Sequence, residues 1–121
     1  MSDEYENRSI ASLRRLRDLY AMLLIAFGKL PIPVALPTKF EGYTQIQAAV
    51  ERAYALLPEQ PMTGRARDLL STAALYWLTA AEMVIAYEID HKGYKADAVI
   101  LSVIAGESYV HDFFHLGEGE I

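Results

Sequence analysis

Residues 69–87 read LLSTAALYWLTAAEMVIAY, a stretch whose one charge is Glu82. So apolar a run approaches the roughly 20 residues that a bilayer span requires, and it equally suits a helix with neighbours on most of its sides. The polar residues decide between the two. Placed at about 100° per residue, Ser71, Thr72, Thr79 and Glu82 gather with Asp68 on one arc, which a lipid-facing helix has no use for. No other segment is long and apolar enough to span. The stretch is read as the central helix of a bundle, beginning after Thr63-Gly64 and ending near His91, with Lys92 and Gly93 as its cap.

Working outward, apolar residues recur at spacings of three and four, never of two, along every long segment. Helix one is expected over residues 9–27, with Ile10, Leu13, Leu16, Tyr20, Leu23, Leu24 and Phe27 on one face. Gly28 and Pro31 stop it. A connection with Pro31, Pro33 and Pro37 follows, and its Ile32, Val34, Leu36 and Phe40 suggest that it lies against the helices. Helix two is expected over residues 45–57, with a Thr44–Gln47 capping box and Pro58 at its end. Helix four is expected over residues 95–116. Together these define an all-α chain, a single domain over residues 1–121: an antiparallel four-helix bundle with a long Pro-rich connection between helices one and two.

Bulk composition narrows the functions. With 121 residues the chain can bury one sizeable core, and its apolar content of 53% leaves a surplus beyond the usual share of about 45–50%. The net charge of −5 disfavours a nucleic-acid coat protein, since phosphate binding draws on clustered positive charge. No cysteine is present, which removes disulfides, thiolate nucleophiles and Cys-based metal sites. The polar, acidic start is no signal peptide, so a cytoplasmic location or a place in an assembled particle is expected. One Asn and three Gln make few thermolabile side chains, which fits a heat-adapted source.

The apolar surplus shows where the pattern breaks. On helix one the arc of Arg14, Arg15 and Asp18 turns apolar at Met22 and Ile25. On helix three Leu75 and Leu78 interrupt the arc of Ser71 and Glu82. On helix four Ile100, Leu101 and Ile104 sit among Asp97, Glu107, Ser108, His111, Asp112 and His115. Large apolar residues misplaced on three helices suggest a surface that monomers seldom leave open, and symmetric self-association is the default partner. Cover by the Pro-rich connection is the alternative. Ala98, Ser102 and Gly106 form a ridge of small side chains on the buried side of helix four, which favours a tight hairpin with helix three and brings Trp77 level with Tyr109.

Groups that could carry chemistry are few. Glu88 and His91 have the spacing of a di-metal Glu-x-x-His pair, but His111 lies roughly 25 Å away along the hairpin. Glu107, His111 and His115 are spaced by four and could present a metal together, although solvent already serves them on the polar arc. No phosphate loop or nucleophile elbow occurs. Arg8, Arg14, Arg15 and Arg17 form a basic stripe that an up-down bundle places at the same end as Arg65 and Arg67. An Arg–acid network is the plain account of this stripe, and an anionic partner such as RNA the sharper one. The expectation is therefore a non-catalytic, cofactor-free structural or adaptor subunit. It would self-associate through apolar helix faces as a homodimer or within a virion, filament or nucleoprotein assembly. The alternative is a small metal-binding bundle or metal-dependent enzyme built on Glu107, His111 and His115.

Overall fold

The computed structural model describes residues 2–39 and 42–121, so the expected packing of Phe40 lies outside the described residues. The described residues form four α-helices: α1 (Ser2–Gly28), α2 (Tyr43–Leu56), α3 (Gly64–Asp90) and α4 (Gly93–Phe114). Single 3-10 turns lie at Leu57–Glu59 and Glu118–Glu120, and no strand occurs among the described residues.

Local chemistry accounts for the helix ends. Asp3 and Glu4 occupy the first turn of α1, where carboxylates favour the exposed N–H groups, and Glu4 pairs with Arg8 one turn on. Tyr5 stacks on His91 at 3.7 Å between ring centroids. These contacts carry α1 seven residues further toward the N-terminus than apolar spacing implies. At the other end the chain leaves the helix at Gly28, and the Val34 amide donates to the Phe27 carbonyl at 3.0 Å. α2 starts behind Gly42, in the left-handed region at φ 69°, and no side-chain cap bond forms there, so the expected Thr44–Gln47 box is replaced by a glycine. Thr63 caps α3 by accepting from the Ala66 amide. α3 ends in a left-handed cap at His91, φ 59°, not at the glycine two residues on, and Gly93 already belongs to α4.

α3 is the hub, packing against α1, α2 and α4. Its buried side is rich in small residues, with Ala66, Ala73, Ala74, Ala80 and Ala81 beside Leu70, Trp77, Val84 and Tyr87. By length and composition alone α3 could cross a membrane. Trp77 is fully buried, and its indole N–H donates to the Leu16 carbonyl at 3.0 Å, joining α3 to α1. Trp77 is roughly level with Tyr109, as expected, since its chain neighbour Tyr76 meets that ring. Tyr76 is the residue that stacks on Tyr109, at 5.9 Å, because Trp77 sits further round the helix toward α1.

The helix directions depart from the expected up-down order. Down the length of the pair, Arg8 of α1 meets Asp97 of α4, Arg15 meets Glu107, and Lys29 lies over Phe114. Both numbers rise together, so α1 and α4 run the same way. Tyr5 meets Tyr87 and Tyr20 meets Trp77, so α3 runs against α1. Gln47 bonds Glu82 while Arg67 bonds the Leu57 carbonyl, so α3 also runs against α2. Residues 29–42 supply the reason. By Pro37 the connection has turned back along α1 as far as Tyr20, whose hydroxyl donates to the Pro37 carbonyl, so α2 starts well back along α1 and not at the end where α1 stops.

That connection is tied down on its way. Leu30 and Leu36 are buried, Tyr20 Oη donates to the Pro37 carbonyl, and the Gln60 side chain both donates to and accepts from the Ile32 backbone. Gln60 itself is buried, and the paired bonds satisfy its amide.

Candidate functional site

Two sides of α4 carry unlike residues. Its buried side consists of Ala96, Val99, Val103, Gly106, Val110 and Phe113. Gly106 lets the helices close: a Cβ there would stand 2.6 Å from Leu19 Cδ2, 3.2 Å from Tyr76 Cβ and 3.5 Å from the Ala73 carbonyl oxygen. The outward side bears Leu101, 69% exposed, and Ile104, 51% exposed. They are neighbours one turn apart on one arc. Ile100, at the edge of that arc, is half-buried.

The other apolar residues singled out from the pattern divide. Ile25 and Leu75 stay about half exposed. Met22 and Leu78 are half-buried and pack against the core, so the width of neighbouring helices absorbs them. The Pro-rich connection reaches Ile25 only at its edge, where Thr38 borders the same shallow groove. Spacing alone missed Tyr94 and Ile89 at the turn between α3 and α4, both strongly exposed, because Tyr94 falls just outside the expected start of helix four. Ile10, expected on the core side, is exposed instead.

Two of the four arginines in the basic stripe meet acids. Arg8 lies 3.6 Å from Glu4 and 3.8 Å from Asp97, and Arg15 donates to Glu107 at 2.7 Å. Arg14 and Arg17 line an open depression with Ile10, Leu13 and Asp18. Arg67 is directed inward onto the carbonyls of Leu57, Gln60 and Met62. Its place corrects the expected grouping of Arg8, Arg14, Arg15 and Arg17 with Arg65 and Arg67 at one end: α1 begins beside Gly93, at the opposite end from the start of α3.

Glu107, His111 and His115 do not converge as ligands. Glu107 is held by Arg15, and His115 Nδ1 contacts the His111 carbonyl at 2.8 Å while their rings lie 4.2 Å apart. Among the described residues no three His, Asp or Glu side chains stand together where an ion could be held. His91 is engaged by Tyr5. Burial pushes the Tyr87 hydroxyl above its usual range, with Arg8 acting against it. Asp90 sits below the carboxylate range because Lys95 bonds it, and Lys95 is raised by the same bond.

No protein-family model, curated protein or solved structure matches this chain. The side chains themselves are the ground for any reading of its role.

Proposed function

We propose that this chain is a non-catalytic helical subunit, a bundle with the Pro-rich connection as its strap, that works by self-association through apolar helix faces. One observation carries the reading: α4 already packs its inner side with valines, alanine, glycine and Phe113 and leaves Leu101 and Ile104 facing solvent. Two neighbouring large aliphatic residues left open on a helix whose inner side is already packed form an interaction surface in want of a partner. Ile25 and Leu75 add apolar area on two further helices, which suits assembly beyond a dimer. Glu107 is committed to Arg15, so the metal-dependent alternative draws no support.

The test is a Leu101→Lys variant compared with the unchanged protein by sedimentation. A buried charge at the centre of an interface should weaken association about 30-fold or more while the helical circular-dichroism signal is retained. Equal association in both proteins would remove α4 from the interface.

A further inference from the structure

Residues 3–11 of α1 bury no side chain completely, and Ser12 is the first in that run to be enclosed. The segment is nevertheless docked, and the turn between α3 and α4 holds it at two points. Tyr5 stacks on His91 at 3.7 Å between ring centroids and tilts against Tyr87 at 5.2 Å. Arg8 lies 3.8 Å from Asp97 and rests against Gly93.

Both backbone peculiarities of the turn serve these two residues. His91 takes the left-handed conformation at φ 59°, which is unfavourable for a residue with a Cβ and which glycine usually occupies at a helix end. A glycine there would have no ring to set against Tyr5. Two residues on, Gly93 stands where a Cβ would collide with Arg8 Nη1. The turn thus keeps a side chain where Tyr5 needs one and omits it where Arg8 needs room.

We infer that residues 3–11 are a latch: a helical arm that lifts from the α3–α4 turn as a unit, uncovering Tyr87, while the rest of the bundle stays folded. The arm contributes nothing to the buried core, whose share of α1 begins at Leu16. Segments so weakly buried open at a lower free energy than the core. Strain of the kind held at His91 is concentrated in segments that switch. Tyr87 is buried, and the Tyr5 ring is part of its cover, so release exposes an aromatic side chain of the hub helix. Arg8 pairs with Glu4 and Asp97 in partly exposed positions, so salt favours release. The latch does not depend on the self-association proposed above.

Native-state hydrogen exchange of the full chain, resolved by residue, tests the latch. The amides of residues 6–11, each bonded one turn back, should exchange through one shared opening and faster than the α3 amides around Trp77. Tyr5→Ala should speed exchange in the arm about tenfold and leave α3 unchanged. His91→Gly relieves the backbone and removes the ring at once. It should speed the arm while slowing α3 a few-fold, two movements in opposite directions. Rates that fall off gradually from residue 6 to residue 11 are those of ordinary fraying and overturn the latch. Equal acceleration of arm and α3 in either variant overturns it too, since the arm then unfolds only with the core. An arm unmoved by Tyr5→Ala, or slowed together with α3 by His91→Gly, shows that the rings hold nothing and contradicts the inference as well.

Discussion

Over most of the length of α4 the inner and outer sides reverse the usual order of residue sizes. Inside stand valines, an alanine and Gly106, with the large Phe113 only in the last turn, and outside stand Leu101, Ile104 and Tyr94. In a helix that serves only its own fold the larger aliphatic residues face the core, where each gives about 1.5–3 kcal/mol by leaving water. α4 takes its stability from closeness instead. Small side chains bring Leu19, Tyr76 and Ala73 to van der Waals distance of Gly106, and the stabilisation comes from many short contacts. The larger aliphatic residues Leu101 and Ile104 stay exposed. The comparison separates residues that hold the fold from residues that, on the function proposed above, engage a partner, and substitutions on the two sides should behave differently.

The largest effect is expected at the inner side. Gly106→Leu places a branched side chain where even a Cβ would stand 2.6 Å from Leu19, and the nearby Ala73 carbonyl cannot move without its helix. A loss of about 3 kcal/mol or more, read as the shift in a urea midpoint, is expected. An unchanged midpoint would mean that α4 does not pack as closely as described.

Next in size is Trp77→Phe. It leaves the Leu16 carbonyl without its donor in a dry core and opens a space beside Tyr20. Denaturant unfolding should register about 2–3 kcal/mol of destabilisation. On the outer side Leu101→Lys should leave the unfolding free energy of the isolated chain nearly unchanged, within about 0.5 kcal/mol, because nothing in the fold depends on it.

Smaller still is Ser12→Ala. Ser12 is buried on α1 and its hydroxyl has no hydrogen-bond partner, so its removal should raise stability by up to about 1 kcal/mol. Destabilisation of that size would reveal a partner for the hydroxyl.

Last comes the Asp90–Lys95 pair at the turn between α3 and α4. Asp90 is depressed below its ordinary 3.8, so its contribution is complete above that value and fades as pH falls through the lower folded one. Lys95 is raised above 10.5, so its contribution is complete below that value and fades as pH rises through the higher folded one. Asp90→Asn should flatten both edges of the melting temperature against pH, by a small amount because the pair meets solvent.

How much of this was legible in the residues follows from what periodicity encodes. The cores of α3 and α4 repeat at helical spacing and could be read directly. Leu101 and Ile104 could be found because they fall within a polar arc. Helix direction is not carried by periodicity. The first turns of α1 were missed because their stability comes partly from Tyr5 against His91, 86 positions away. Met22 and Leu78 looked like surface because a helical wheel gives the angle of a residue and not the breadth of the neighbour that covers it. Arg15 with Glu107 was out of reach for the same reason.

The proposed function rests on this chain carrying more apolar helix surface than its own fold covers. Sedimentation equilibrium of the unchanged protein over a wide concentration range tests it most directly. The account predicts a mass rising from 13.6 kDa toward at least twice that value. A single species of 13.6 kDa at every concentration would contradict it.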